Sequence, residues 1–314
     1  MPMARDLLHS RMALILDRMA RARQRPFHAQ TPAEARAAYT LGAEVLDLPR
    51  APLPRVEDLR IPAADGSPLA ARLYAPSAAC LPVVLYLHGG GFVIGNLETH
   101  DSLCRQIARR SGAAVLALEY RLAPEHPFPC AVDDAWAAMH WLAAHAGALG
   151  LDGTRLAVAG DSAGGTLAAV CAIHARDRAL PLALQVLITP GTTDHADTES
   201  HRRFANGFLL DEAAIAWFFG HYIAVAQRGD WRFAPLRAAD LDGVAPACLV
   251  LAEVDPLVDE GLAYGDRLRA AGVDVRLELV RGVTHDFIKM GRMLAQAEVA
   301  QATIGQALKE ALFR

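Results

Sequence analysis

Ser162 lies where an apolar strand pattern changes into a helix pattern, between two glycines in the spacing G-x-S-x-G. Gly160 and Gly164 are the small neighbours that a strained strand-to-helix turn needs, and such a turn lifts the hydroxyl out of the backbone. Serine becomes a good nucleophile only when a base takes its proton. The pattern therefore predicts nucleophilic catalysis, with a serine at a helix N-terminus as the simpler alternative.

Two further residues at strand ends could complete the site. Asp255 follows the run ACLVLAEV, and His285 follows VRLELV after a short loop. The imidazole of His285 could accept the proton of the serine, and the carboxylate of Asp255 could hold that imidazole in the right tautomer. Asp259 and Glu260 are rivals for this second role, but we expect them a turn inside the next helix.

A glycine loop, Gly89–Gly91, follows the run VVLYLH. An oxyanion that forms when serine attacks a carbonyl needs hydrogen-bond donors. The amide of Ala163, directly after the serine, is one. The glycine loop can offer others, because residues without side chains let the backbone approach a substrate. His88 and Asp161 are expected to brace the loop and the serine turn.

The rest of the chain alternates strand and helix patterns, which predicts an α/β fold. An antiparallel hairpin is expected around Asp65–Gly66, and mainly parallel strands follow because several runs are apolar throughout. The strands are VVLYLH, AAVLALEY, RLAVAG, LALQVLIT, ACLVLAEVD and VRLELV; the helices are 97–111, 131–146, 163–178 and 258–271. Ligands bind beyond the carboxyl ends of parallel strands, so the candidate residues should meet there.

Two segments depart from this alternation of strand and helix patterns. Residues 1–50 read as helices, with Thr31 and Pro32 as the first residues of the second one. Residues 192–232 contain no strand pattern and many aromatic residues. We predict a catalytic domain at 51–191 and 233–314, N-terminal cap helices at 1–50 and a helical cap insertion at 192–232.

Composition excludes several classes of function. The chain has 314 residues, 53% hydrophobic and 21% charged, with a formal net charge of −4. It lacks a long basic run, which disfavours nucleic acid, and its apolar runs are far shorter than the roughly 20 residues of a membrane span. Charged residues interrupt the N-terminal region, which does not resemble a secretory signal. Five scattered cysteines without a CxxC are typical of reduced core thiols, so we expect a cytoplasmic protein.

Longer motifs resemble those of the hormone-sensitive-lipase-like (bacterial family IV) carboxylesterases. They are HGGGF (88–92), GNLETHD (95–101), YRLAPEHPFP (120–129), GDSAGG (160–165) and DPLVDEG (255–261), and the order Ser–Asp–His is that of α/β-hydrolases. The resemblance implies an α/β-hydrolase fold with a helical cap, a triad of Ser162, Asp255 and His285, and an oxyanion hole at Gly90, Gly91 and Ala163. It also implies hydrolysis of short to medium acyl esters without a cofactor or metal, with His88, Gly89 and Asp161 in support.

The sequence departs from the family at Asp286, where glycine is usual, and at Thr189, where an aromatic residue is frequent. Lactonase or amidase activity with the same triad stays open, as do a non-catalytic binding protein on this scaffold and a homodimer. The run 194–201 contains two histidines and three carboxylates, but its spacing is not that of a known metal site, and a polar loop is the preferred interpretation. Gly89, Gly91 and Gly95 imitate a dinucleotide fingerprint only weakly, because the third glycine is displaced.

Overall fold

The computed structural model describes residues 4–23 and 25–314, so residues 1–3 and 24 of the predicted cap helices lie outside it. Within the described residues one sheet has the strand order β1-β2-β4-β3-β5-β6-β7-β8. Its strands are β1 (Arg55–Pro62), β2 (Pro68–Ala75), β3 (Leu81–Leu87), β4 (Ala114–Glu119), β5 (Leu151–Asp161), β6 (Leu184–Ile188), β7 (Ala247–Val254) and β8 (Val275–Thr284). β2 is antiparallel to β1 and β4, and the other pairs are parallel, which confirms the predicted α/β-hydrolase architecture.

Helices connect most of the parallel strands. They are α1 (Ser10–Arg21), α2 (Pro32–Gly42), α3 (Asp101–Ser111), α4 (Cys130–His145), α5 (Ala163–Asp177), α6 (Glu199–Arg203), α7 (Glu212–Tyr222), α8 (Val258–Ala270) and α9 (Ala295–Leu312).

The prediction that α3 starts at Leu97 is wrong, because Thr99 and Asn96 exchange hydrogen bonds that hold a turn there. The expected loop before His285 is also wrong, since β8 continues to Thr284.

The sheet divides the apolar core into two halves. Along β3, Val83, Leu85 and Leu87 face α4, α5 and α8, whereas Val84 and Tyr86 face α1, α3 and α9. All five side chains are fully buried, as expected for a strand covered on both faces. The sheet is therefore held rigidly, and the loops at its carboxyl edge have a fixed base.

Local sequence explains the start of α2 and the first hairpin. The side chain of Thr31 accepts a hydrogen bond from the amide of Glu34, and the Glu34 carboxylate accepts one from the amide of Thr31, which is a capping box. At the hairpin, Asp65 accepts a hydrogen bond from the amide of Ser67, and Gly66 has φ +82°. Both predicted features are confirmed.

The cysteine prediction needs correction. Cys104, Cys171 and Cys248 are buried free thiols, as predicted, but Cys80 is exposed and Cys130 is half-buried. Cys80 lies in the connection between β2 and β3, where the chain leaves the core.

Among the described residues no helix combines the length and the apolar character needed to cross a bilayer.

Candidate active site

Ser162, Asp255 and His285 meet at the carboxyl edge of the sheet. Ser162 lies between β5 and α5, Asp255 directly follows β7, and His285 directly follows β8. The Oγ of Ser162 is 2.9 Å from Nε2 of His285, and Nδ1 of His285 is 2.7 Å from Oδ2 of Asp255. This chain of contacts can carry a proton from the serine hydroxyl to the imidazole while the carboxylate stabilises the resulting charge.

The backbone at Ser162 is strained. Its φ is 52° and its ψ is −120°, a conformation that residues with a side chain rarely adopt. A Cβ on Gly160 would lie 2.2 Å from the carbonyl oxygen of Gly164, and one on Gly164 would lie 1.9 Å from that of Leu87. Only glycine fits at these two positions, which explains the G-x-S-x-G spacing.

The surroundings of His285 favour its protonated form. Burial alone would lower the pKa of the imidazole, but the charge and hydrogen bond of Asp255 raise it, with smaller contributions from Asp286 and Asp161. The net result is a pKa above the ordinary value of histidine. The second oxygen of Asp255 accepts a hydrogen bond from the amide of Leu257 at 3.0 Å, which fixes the carboxylate.

Neither rival of Asp255 forms a hydrogen bond with His285. Oδ2 of Asp259 accepts a hydrogen bond from the amide of Ser200 at 2.8 Å. Glu260 is turned toward the amides of Thr192 and Thr193. The hydrogen bonds therefore favour Asp255 as the carboxylate partner of His285, in agreement with the order of the residues along the sequence.

The glycine loop and the amide of Ala163 border the same cavity as Ser162. Gly90 has φ +120° and Gly91 has φ +58°. A Cβ on Gly90 would lie 2.3 Å from the carbonyl oxygen of Ile94, and one on Gly91 would lie 2.3 Å from the ring of Phe218. The assignment of Gly90, Gly91 and Ala163 as oxyanion donors remains a prediction that this placement supports.

Asp161 and His88 support the loop from behind. The carboxylate of Asp161 accepts hydrogen bonds from the hydroxyl of Tyr86 at 2.6 Å and the amide of Gly89 at 3.1 Å, and its other oxygen is 3.1 Å from Nε2 of His100. Burial would raise its pKa, but His100, Lys289 and Tyr86 hold it well below the usual range. The amide of Gly89 therefore donates its hydrogen bond to Asp161.

His88 is a neutral brace. Burial, reinforced by His100, lowers the pKa of His88 to about 3. Its Nδ1 donates to the carbonyl of Gly89 at 2.8 Å, and its ring stacks on Tyr120 with centroids 4.3 Å apart. A histidine that stays neutral holds the glycine loop by the same hydrogen bond over a wide pH range.

Ser162 and His285 line a cavity of about 110 Å³. Most of its wall is apolar: Phe27, Phe92, Ile94, Leu209, Leu210, Ile215, Phe218, Phe219, Phe233 and Leu257. Two carboxyl groups, Glu260 and Asp286, also line it, together with the hydroxyl-bearing side chains of Tyr39, Thr166 and Thr193. Such a wall suits the apolar part of a small ester, with a few polar groups to orient it.

The carboxyl of Glu260 contacts two backbone amides and one histidine. It accepts hydrogen bonds from the amides of Thr192 and Thr193, the latter at 3.2 Å, and its Oε2 is 3.3 Å from Nε2 of His201. Burial outweighs these interactions and raises the pKa of Glu260 to about 8. Sequence reasoning treated Glu260 only as a rival acid and missed this position in the pocket wall.

Asp286 takes a left-handed conformation with φ 66°, which explains why glycine is usual at this position and why aspartate, which tolerates it, can replace glycine. Its Oδ1 is 3.4 Å from Nζ of Lys289, and its Oδ2 accepts a hydrogen bond from the hydroxyl of Tyr39 at 3.4 Å. Sequence reasoning missed Tyr39 and Lys289. A lysine in the apolar run FIKM was the one available signal for a buried charge.

The histidines of the run 194–201 face different surroundings. His195 pairs with Asp194 at 2.5 Å and Asp197 at 3.1 Å on the surface, whereas His201 turns inward to Glu260. Among residues 4–23 and 25–314 no group of three or more His, Cys, Asp or Glu side chains is arranged to hold a metal ion.

Comparison with known proteins shows the family to which the chain belongs. A family model described as the alpha/beta hydrolase fold matches residues 84–289. An ethyl acetate hydrolase of Pseudomonas putida is 43% identical over 265 residues, which cover 82% of this chain and 83% of that protein. Carboxylesterase NlhH of Mycobacterium tuberculosis is 41% identical over 237 residues, 74% of each chain.

Solved structures show the same likeness over nearly the whole chain. An ester hydrolase from the metagenome of Lake Arreo has a TM-score of 0.94 at 36% identity, covering 98% of this chain and 100% of that one. A thermostable esterase from Pseudomonas putida has a TM-score of 0.90 at 34% identity, covering 97% and 98%. The chain belongs to the α/β-hydrolase fold family, as one of its hormone-sensitive-lipase-like members.

Proposed function

We propose that this protein is a serine carboxylesterase that hydrolyses small carboxylic esters. The observation that carries the proposal is the chain of contacts from Ser162 to His285 at 2.9 Å and on to Asp255 at 2.7 Å, at the edge of an apolar cavity. The names of the relatives, an ethyl acetate hydrolase and a carboxylesterase among them, support the same reaction.

The proposed reaction has two acyl-transfer steps. Nε2 of His285 takes the hydroxyl proton as Ser162 Oγ attacks the ester carbonyl, and the amides of Gly90, Gly91 and Ala163 stabilise the oxyanion. When the carbon–oxygen bond to the alcohol breaks, His285 gives the proton to the leaving alcohol. Water then attacks the acyl-enzyme with His285 as base, which releases the carboxylic acid and restores the serine.

The size of the cavity supports short to medium acyl chains. An apolar cavity of roughly 150 Å³ takes up benzene. The cavity beside Ser162 is about 110 Å³, so it holds an acyl group of a few carbons. Longer chains must extend past the aromatic side chains of residues 192–232 or displace them.

We also propose that residues 1–50 and 192–232 form a cap over the catalytic domain at 51–191 and 233–314. Phe27 and Tyr39 from the first segment and Phe218 from the second line the cavity. The rings of Phe27 and Phe218 are 5.7 Å apart, which joins the two segments above the site. Helix α1 instead packs on β8, in the half of the core that also contains α3 and α9, so the part of the first segment that reaches the pocket begins at Phe27.

Two further proposals concern the setting of the enzyme. The free thiols of all five cysteines support a reducing compartment, the cytoplasm. Exposed Leu279 on the edge strand β8 and exposed Val299 on α9 support a homodimer. Sedimentation equilibrium of the purified protein tests the dimer.

The test of the activity is hydrolysis of p-nitrophenyl esters with acyl chains of two to sixteen carbons by the wild type and by Ser162→Ala. We expect a maximum at short chains and a loss of at least about 10⁴-fold in kcat for the variant. Covalent labelling of the wild type, but not of the variant, by a fluorophosphonate separates an enzyme from a binding protein. A folded wild type that hydrolyses none of these esters would refute the proposal.

A further inference from the structure

Asp286 places a carboxylate in the wall of a mostly apolar pocket, one residue after His285. The cavity is lined by both residues. The side chain of Asp286 is 28% exposed, while the ammonium-bearing side chain of Lys289, its ion-pair partner, is 6% exposed and does not line the cavity. A bound substrate therefore meets the carboxylate and not the ammonium.

The partners of this carboxylate leave it poorly satisfied. Its contacts to Lys289 Nζ and to the Tyr39 hydroxyl are both 3.4 Å long, at the far limit of a hydrogen bond. The ammonium of Lys289 is engaged more closely by the hydroxyl of Tyr39. Glu260, the other carboxyl of the wall, accepts hydrogen bonds from two backbone amides and contacts His201. Asp286 thus has capacity for a further donor or cation from the pocket side.

Aromatic rings surround the same part of the pocket. Phe27 packs against Tyr39 with ring centroids 6.3 Å apart and against Phe218 with centroids 5.7 Å apart, and all three line the cavity. Aromatic faces attract organic cations, and a wall of rings with a carboxylate is the usual composition of sites that hold a substituted ammonium group.

The charges around the site point the same way. Asp161, Asp255 and Asp286 lie close to the catalytic centre, and the described residues that face them are Lys289, His100 and His285. The low dielectric of an apolar pocket strengthens the attraction that a carboxylate in its wall exerts on a cation.

We propose that Asp286, with the rings of Phe27 and Phe218, makes the enzyme selective for esters that carry a compact cationic group, an amine or a quaternary ammonium; the ring of Tyr39 already holds the Nζ of Lys289, 4.6 Å from its centroid. This inference rests on the proposed esterase function and names its substrate class. Asp286 acts as a specificity-determining residue, and an ester that carries a carboxylate at the same place is disfavoured.

The experiment uses two esters of the same shape that differ in one charge, butyrylcholine and 3,3-dimethylbutyl butyrate. The readout is the kcat/KM for butyrylcholine divided by the kcat/KM for the neutral ester, both measured on the same protein. A general loss of activity in a variant therefore cancels. The ratio for the wild type, divided by the ratio of the hydroxide-catalysed rates, should exceed one. It should fall about tenfold in Asp286→Asn and in Asp286→Gly.

Asp266→Asn is the matched control, because it removes the same charge from a side chain that is 76% exposed and lies outside the pocket wall. Its ratio should equal that of the wild type. Phe27→Leu, which removes a ring at similar volume, should lower the ratio severalfold, and it tests the site independently if both Asp286 variants are inactive.

A normalised wild-type ratio of one or less would overturn the inference, as would a fall of the same size in the Asp266 control. So would a ratio that neither the Asp286 nor the Phe27 variants change, or turnover of p-nitrophenyl butyrate without turnover of either alkyl ester. If the wild type hydrolyses no ester at all, including the p-nitrophenyl series, the proposed function itself fails.

Discussion

Replacing Glu260 by glutamine should remove a strong pH dependence from the stability of the protein. Burial in the pocket wall raises the pKa of this carboxyl to about 8 from the ordinary 4.5, against the amide hydrogen bonds of Thr192 and Thr193, which lower it. The folded protein therefore keeps a proton on Glu260 at pH values where the unfolded chain has lost it. Glutamine has nearly the same shape and cannot titrate.

The sign and the size of the effect follow from proton linkage. Because the folded pKa is the higher one, the stability that Glu260 contributes is fully present below about pH 4.5 and is lost as the pH rises to about 8. A difference of one proton between the two states changes the free energy of unfolding by about 1.4 kcal/mol per pH unit. Between about pH 5.5 and 7.5 the wild type should lose about 2.5 kcal/mol relative to Glu260→Gln.

Urea unfolding of both proteins at several pH values across this range measures the difference. Glu253→Gln is the control, because it removes a carboxylate that also accepts a backbone hydrogen bond, from Gly282 at 2.8 Å, outside the pocket wall. Parallel stability curves for the wild type and Glu260→Gln would refute the reasoning, since they would mean that Glu260 binds the same number of protons in the folded and unfolded states.

Three other outcomes follow from the site. Asp255→Asn should lower kcat by about 10⁴-fold in steady-state assays, whereas Asp259→Asn should lower it less than about tenfold; the reverse order would exchange their roles. Because His285 must be neutral to act as a base and its pKa is raised, kcat/KM should fall through a midpoint above the ordinary histidine pKa of about 6.5 as the pH drops. A profile that stays flat to about pH 5 would contradict this. Gly164→Ala puts a Cβ 1.9 Å from a backbone oxygen and should destabilise the protein by more than about 4 kcal/mol in thermal unfolding. A Cβ on Gly147 would have no heavy atom within 4 Å, so Gly147→Ala should not destabilise the protein to this extent. Equal losses of stability in the two variants would argue against a strained turn at Ser162.

The parts of the fold that could be predicted are those that depend on local pattern. Apolar runs of strand length alternate with helical runs, and parallel strands present their carboxyl ends at one edge of the sheet. Ser162, Asp255 and His285 could therefore be expected to meet, although they are far apart in the sequence. The boundaries that failed, at Leu97 and after the run VRLELV, lie where side-chain hydrogen bonds or sheet pairing decide the end of an element.

The contacts that could not be predicted join segments without a shared pattern. Tyr39 and Lys289 are separated by 250 positions, and neither lies in a motif that indicates a partner. Glu260 stands in the recognisable run DPLVDEG, but its contact with the amides of Thr192 and Thr193 depends on the path that the chain takes after β6. Such contacts arise from packing of the complete chain and leave no periodicity in the sequence.

The unpredicted contacts of Lys289 join the predicted contact between Asp161 and the glycine loop, and together they link the loops after β3, β5 and β8 around one buried charge. The Nζ of Lys289 is 3.5 Å from Nε2 of His100, whose ring also contacts Asp161, and Asp161 accepts a hydrogen bond from the amide of Gly89. A buried ammonium is stable only when opposite charges and hydrogen bonds surround it. Lys289, on the loop after His285, therefore requires the carboxylate of the serine elbow near it, and that carboxylate in turn fixes the glycine loop. The relative positions of Ser162, His285 and the glycine loop are set by this shared network, and Asp286 extends the network to the wall of the cavity beside Ser162.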